Sequence, residues 1–248
     1  MRFHEIRSFE TLDSTNEYLK RIADDAMDGL VVCAKEQTAG KGRIGRSWTS
    51  QKDEGAWFSV MVKDERLNAE NAAGLVFVCA FATASSLRML TGKDIQIKWP
   101  NDIVINGRKL VGILCESSLK AGNVLWSVCG IGINLNTEQF PEALPWATSL
   151  YRETGSRYDA KTVTEHFLIE FDIAIERMLT DGMKAILDAI KPLSATVGQI
   201  VHAEQGDITI IGRAVDFAKD GSLLIETENG IRQVNVGDVS VRGLMGYV

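Results

Sequence analysis

The stretch Gln37–Ser47, QTAGKGRIGRS, places three glycines and three cations in a run with almost nothing apolar. Gly40 and Gly42 leave backbone N–H groups open to close approach, because no Cβ intervenes. Lys41, Arg43 and Arg46 add charge suited to an anion. Charge-assisted hydrogen bonds are worth about 1.5–3 kcal/mol each, so a triphosphate could order such a loop. The spacing matches neither GxxxxGK[ST] nor a dinucleotide GxGxxG between strand and helix. Taken alone, the run reads equally as a basic surface loop.

A second stretch, KWPNDIVINGRK at Lys98–Lys109, runs into LVGILCE. Trp99-Pro100 breaks a strand, and Asn101-Asp102 favours a tight turn bonded by its own side chains. Two turns in a β-meander would account for most of it. Lys109 is harder to dismiss: a cation opening an apolar strand must reach solvent or meet an anion. The third stretch, GIGINLN at Gly130–Asn136, has alternate glycines that weaken a strand unless something packs on its backbone. Asn134 there could read a base or amide edge, or simply end the strand.

Elements that could position these residues follow from the pattern. Ile6–Leu12 reads as a strand, and Ser14-Thr15-Asn16-Glu17 fits a capping box opening a helix through about Asp25. Leu30–Ala34 and Ala56–Val62 are strand candidates on either side of the glycine loop. Ala69–Leu90 is Ala-rich and apolar on more than one side, predicting a helix deep against a sheet. Ile95–Lys98, Ile103–Ile105, Leu110–Cys115 and Val124–Ile133 read as an antiparallel meander with turns at Asn106-Gly107 and Gly122-Asn123. Helices are expected over Tyr158–Leu179 and Met183–Ile190, the latter ended by Pro192. Beyond Ser194 the pattern becomes short alternating strands, Val197–Ala203, Ile208–Phe217, Leu223–Glu226 and Ile231–Val236, with Asp220-Gly221 and Asn229-Gly230 turns. These predict a small β-barrel. The division is 1–194 and 195–248.

Composition narrows the function. Of 248 residues 45% are apolar, enough for a substantial core, and 27 basic against 33 acidic residues give a net charge of -6. That balance argues against a general nucleic-acid or membrane-surface binder. No signal peptide or membrane span is expected, so the reading is cytoplasmic. Cys33, Cys79, Cys115 and Cys129 sit in apolar settings without zinc-type spacing in sequence, and are expected to be buried reduced thiols. His4, His166 and His202 are too scattered for a histidine metal site or a Ser-His-Asp triad.

Together the stretches resemble the biotin protein ligases, also called biotin–[acetyl-CoA carboxylase] ligases. The resemblance runs in order through DSTNEYL (Asp13–Leu19), EQTAGKGRIGRSW (Glu36–Trp48), KWPNDIVINGRKLVGILCE (Lys98–Glu116), GIGINLN and the terminal strands. It implies an α+β fold: a central mixed sheet flanked by helices, like the catalytic domain of class II aminoacyl-tRNA synthetases, with a small C-terminal SH3-like β-barrel. It also implies a reaction. Biotin carboxylate attacks the α-phosphate of ATP, with Mg²⁺, giving biotinyl-5′-AMP and pyrophosphate, and a lysine of a biotin carboxyl carrier protein of acetyl-CoA carboxylase or a similar carboxylase then displaces AMP.

On this resemblance Arg43 and Lys109 are the catalytic cations between carboxylate and α-phosphate. Ser14, Thr15, Asn16 and Gln37, with Gly40 and the Lys41 backbone, hold biotin. Arg46, Trp48, Asn101 and Asn134 face the nucleotide, and Asp102 positions Mg²⁺ or a neighbouring cation. The loop would close over the adenylate and exclude water. Many relatives carry arginine where Lys41 stands, which weakens a bidentate phosphate role at that position. The chain starts almost at the catalytic region, so DNA binding is not expected. Monomer and homodimer both fit. Rival readings are a lipoate- or octanoate-type carrier-protein ligase and a non-catalytic biotin or nucleotide sensor.

Overall fold

Seven segments rich in β-branched and aromatic residues join one mixed sheet: β1 (Ile6–Leu12), β2 (Val31–Gln37), β3 (Gly55–Val62), β4 (Ile95–Lys98), β5 (Asp102–Ile105), β6 (Arg108–Lys120) and β7 (Asn123–Asn134). Their order is β1-β2-β3-β7-β6-β5-β4; β1 runs parallel to β2, and the other neighbours are antiparallel. The computed structural model describes residues 2–3, 5–205, 208–236, 239–243 and 247–248. His4 lies outside them.

β3 is buried along its whole length, as a central strand covered on both faces must be. One cover is α1 (Thr15–Arg21), which brings Leu19 onto Val32, Met61 and Val128. The other is built from α3 (Leu75–Thr91), α5 (Ala160–Asp181) and α6 (Met183–Ile190). In α5, Val163, Phe167, Phe171, Ala174 and Met178 recur at helical spacing and are buried, and Phe167 packs edge-on against Phe58 at 5.0 Å between centroids. Burying one such side chain contributes about 1.5–3 kcal/mol.

Several expectations need correction. The helix foreseen at Ala69–Leu90 is two, α2 (Ala69–Ala73) and α3, meeting at Gly74, where a Cβ would lie 2.1 Å from the Met183 side chain. α1 stops at Arg21 rather than near Asp25. Its capping box is half made: the Glu17 amide donates to Ser14 Oγ, but the Ser14 amide donates to Asp13, because Lys20 and Lys41 take the Glu17 carboxylate. The β6–β7 turn is Ala121-Gly122, one residue earlier than expected, and both have positive φ. A short helix, α4 (Leu150–Thr154), was not foreseen.

The terminal strands β8 (Ile200–Gln205), β9 (Ile208–Phe217), β10 (Leu223–Thr227), β11 (Gly230–Val234) and β12 (Val239–Gly243) form a five-stranded antiparallel sheet in the order β11-β10-β9-β8-β12. β12 was not foreseen. Among the described residues β11 and β12 are not paired, so the sheet is open where a closed barrel was expected, a shape compatible with an SH3-like fold. Trp99 seats it on the larger sheet: the indole N–H donates to the Gly221 carbonyl at 2.9 Å, and the Trp99 amide to Thr196 Oγ1 at 3.0 Å.

Candidate active site

A cavity of about 580 Å³ opens where the glycine loop, α1, the β4–β5 turn, β6 and β7 converge. Among the described residues its walls carry six cations, Lys41, Arg43, Arg46, Lys98, Lys109 and Arg242, against one carboxylate, Asp102. In a chain of net charge -6 this is a local reversal of sign. Low-dielectric walls focus such a field onto whatever anion enters.

At one end the floor is neutral and polar. Gln37 Oε1 accepts from the Thr15 amide at 2.8 Å and from Thr15 Oγ1 at 3.1 Å, while Gln37 Nε2 donates to Ser50. Ser59, fully buried, donates within reach of Thr15 Oγ1 and Asn16 Oδ1, and Asn16 Nδ2 donates to Glu116 at 2.8 Å. Such a network holds donors and acceptors still for a neutral, hydrogen-bonding ring. Its apolar neighbours are Phe58, Leu114 and Ile131.

At the other end sit the charges. A register shift between Ile103 and Val104 places Lys109 at a bulge of the β5–β6 pair, a device that re-aims a side chain. Its Nζ lies 2.7 Å from Asp102 Oδ1. Tyr247, next to the C-terminus, reaches Asp102 Oδ2 with its hydroxyl and lies under the Lys98 ammonium, 3.9 Å from the ring centroid. Burial works to raise the Asp102 pKa, but Lys109 and Lys98 more than offset it, and the carboxyl stays below its ordinary value. Lys98 is pushed down to about 8, chiefly by burial, with Lys109, Arg242 and Arg46 adding repulsion against the attraction of Asp102.

The loop covers the middle. Arg43 Nη1 donates to Asn101 Oδ1 at 2.8 Å, and Asn101 Nδ2 to the Ile113 carbonyl, so Asn101 tethers the arginine. Ile44, half exposed, holds φ at +56° beside Gly45 at +67°; a β-branched residue in that region is strained, and strain of this kind collects in functional loops. The Trp48 indole lies against β6 and β7: a Cβ on Gly132 would come within 2.4 Å of its Nε1, and one on Gly112 within 2.7 Å of the ring. That Nε1 is buried and has no partner among the described residues.

Twelve of the thirteen residues singled out from sequence line this one cavity: Ser14, Thr15, Asn16, Gln37, Lys41, Arg43, Arg46, Trp48, Asn101, Asp102, Lys109 and Asn134. Gly40 stands behind the wall, where a Cβ would clash with the Trp48 carbonyl at 2.5 Å, so its role is to shape the loop. Lys41 turns its ammonium to Glu17 at 2.5 Å. Asn134 spends its amide N–H on the Thr148 carbonyl at 3.0 Å.

Sequence reasoning passed over Lys98, Ser59, Trp146, Arg242 and Tyr247, all on or beside the wall. Lys98, a lysine ending the short strand IQIK, must likewise reach solvent or meet an anion, and that requirement is readable from the sequence. Trp146 is 45% exposed at the rim and accepts the Lys109 amide at 2.7 Å.

Residues 8–134 match the biotin/lipoate A/B protein ligase family, and 196–242 match the biotin protein ligase C terminal domain. The bifunctional ligase/repressor BirA of Bacillus subtilis is 33% identical over 236 residues, 94% of this chain and 72% of the relative. A biotin–[acetyl-CoA-carboxylase] ligase from Paracoccus denitrificans is 31% identical over 237 residues, 93% of this chain and 98% of that one. A biotin protein ligase from Aquifex aeolicus, solved in complex with biotin and ATP, superposes with a TM-score of 0.86 at 30% identity, covering 97% of this chain and 100% of that chain.

Proposed function

The chain belongs to the biotin/lipoate A/B protein ligase family, and from that premise we infer that it is an ATP-dependent ligase that attaches biotin to a carrier protein. The observation that carries the reading is one cavity that combines a neutral, hydrogen-bonding floor with six cations on its walls. Few ligand pairs need both. A ureido ring with an apolar tail suits the Thr15, Gln37 and Asn16 network, and a triphosphate suits the cations.

The chemistry follows from charge. Biotin carboxylate and ATP repel one another, so attack of a carboxylate oxygen on the α-phosphorus requires cations between them. Lys109 and Arg43 hold that position: each is anchored, Lys109 by Asp102 and Arg43 by Asn101, before substrate arrives. Preorganised charges of this kind stabilise the transition state without reorganising. The α-phosphorus to pyrophosphate bond breaks as the acyl–phosphate bond forms. Lys98, Arg46 and Arg242 receive the departing pyrophosphate charge, and the exposed face of Trp146 offers a stacking surface for adenine.

Asp102, buried and ionised, is the carboxylate that would hold Mg²⁺ together with phosphate oxygens, and the ion would neutralise triphosphate charge there. In the second half-reaction the lysine amine of a biotin carboxyl carrier domain, of acetyl-CoA carboxylase or a similar carboxylase, attacks the acyl carbonyl and AMP leaves. Until then the loop over Trp48 keeps water from the mixed anhydride. We divide the chain at 194/195, and the second part supplies Arg242 and Tyr247 to the cavity wall.

No cysteine lines the cavity among the described residues, so nothing there favours an acyl-thioester route. Incubating the protein with biotin, Mg-ATP and a carrier domain tests the reading. One biotin on one carrier lysine by mass spectrometry is expected; an unmodified carrier alongside a biotinylated control reaction would refute it.

A further inference from the structure

On the face of the sheet under α3, away from the substrate cavity, three sulfurs converge. Cys115 and Cys129 face one another across the β6–β7 ladder, and Cys79 reaches down from α3 to 3.9 Å from Cys115 Sγ. All three Sγ atoms lie within 4.8 Å of one another, and no fourth His, Cys, Asp or Glu joins them among the described residues. With every pair of sulfurs within 4.8 Å, a small inward movement of the side chains brings all three to the ordinary metal–thiolate distance of about 2.3 Å from one ion. Cys33, the remaining thiol, is not part of the cluster.

We propose that Cys79, Cys115 and Cys129 form a three-sulfur binding site for a trivalent thiophilic ion of the arsenic(III) type. Coordination number and charge select this class. Zinc in a closed site takes four ligands, and only three are present here. Glu116 follows Cys115 directly in the chain, and its carboxylate acts on that thiol. Three thiolates around a monovalent or divalent ion would leave net negative charge in an apolar core beside that carboxylate, which is costly. Around a trivalent ion the complex is neutral.

The exchange balances. Arsenous acid, As(OH)₃, loses three hydroxyls as three As–S bonds form; each hydroxyl leaves as water with a thiol proton, and arsenic stays trivalent. Entry is through Cys115, which lines a second cavity of about 600 Å³ behind the glycine loop with Ala72, Val76 and Glu116.

The test is native mass spectrometry of the reduced protein with sodium arsenite, with arsenic K-edge absorption on the same complex. One arsenic per chain is expected, with the mass of arsenic less three hydrogens and a shell of three sulfurs and no oxygen. Cys33→Ala should leave the adduct intact, and Cys115→Ala should remove the three-sulfur signature. No adduct, a shell with two sulfurs and an oxygen, or loss of the adduct in Cys33→Ala would overturn the proposal. The absorption measurement needs only the unaltered protein, so it stands if a cysteine variant fails to fold.

Discussion

Lys109 and Asp102 meet at 2.7 Å, Nζ to Oδ1, where the β5–β6 bulge turns the lysine toward the substrate cavity. The pair fixes a cation that a flexible side chain would otherwise leave mobile. Asp102 is itself held from the far side by Tyr247, so the lysine's position depends on a residue next to the C-terminus.

Replacing Lys109 with Ala should therefore lower kcat/KM for adenylate formation by about 10²-fold or more, the usual effect of losing one transition-state donor. Stopped-flow or single-turnover measurement of biotinyl-AMP checks it. A rate near that of the unaltered protein would take Lys109 out of the mechanism.

Lys98 gives the site a pH limit. Its folded pKa is lowered to about 8 from the free-lysine value, chiefly by burial, so the ammonium we propose for the phosphates is lost as pH rises through about 8. In the free protein, kcat/KM for ATP should fall across that interval, since this parameter reports free-enzyme groups. Lys98→Arg, charged at all accessible pH, should flatten the limb. A limb at the same pH in both proteins would assign it to another group.

The glycines that matter are on the strands under the loop. Gly132→Val would drive a Cβ into Trp48 Nε1, 2.4 Å away, displacing the loop and costing about 10²-fold in kcat/KM if the shift is near 1 Å. Gly42→Val should do little, because the nearest atom to its Cβ is the Arg46 carbonyl at an ordinary 3.4 Å. Equal losses in the two variants would reject this account of the loop.

Arg2 ties the N-terminus down: its guanidinium, 8% exposed, pairs with Asp28, Asp64 and Glu176. Arg2→Ala strands the nearly buried Asp64 beside Arg66 alone. Because Asp28 and Glu176 are partly solvated, the loss should be about 2 kcal/mol, below the range for a fully buried pair. The sign with pH follows: Arg66 first, then Arg2, holds Asp64 below the ordinary carboxylate value, so this stability is present above about pH 4 and lost as pH falls through the folded pKa. Thermal melts of both proteins should converge in acid; a constant gap would contradict it.

The site was far more legible than its supports. Lys109 and the glycine loop stood out because charge inside apolar sequence and repeated glycine both require a local reason. Gly40 was read as a ligand cradle, but it packs on Trp48, since a glycine shows only that room is needed and not for what. Arg242 and Tyr247 were invisible because the fold brings them to the wall of Asp102's cavity from over a hundred residues away, Tyr247 into contact with Asp102 itself. Strand β12 and the break at Gly74 were missed for a related reason: the first is defined by pairing with β8 and the second by the approach of Met183. The convergence of Cys79, Cys115 and Cys129 has no sequence spacing at all; register between β6 and β7 creates it.

Pyrophosphate release from Mg-ATP, run with biotin, with lipoate, with octanoate and with no acid, tests the central claim most directly. The account predicts release only with biotin, together with a product of the mass of biotinyl-5′-AMP. Release driven by lipoate or octanoate, or tight biotin binding with no release, would contradict it.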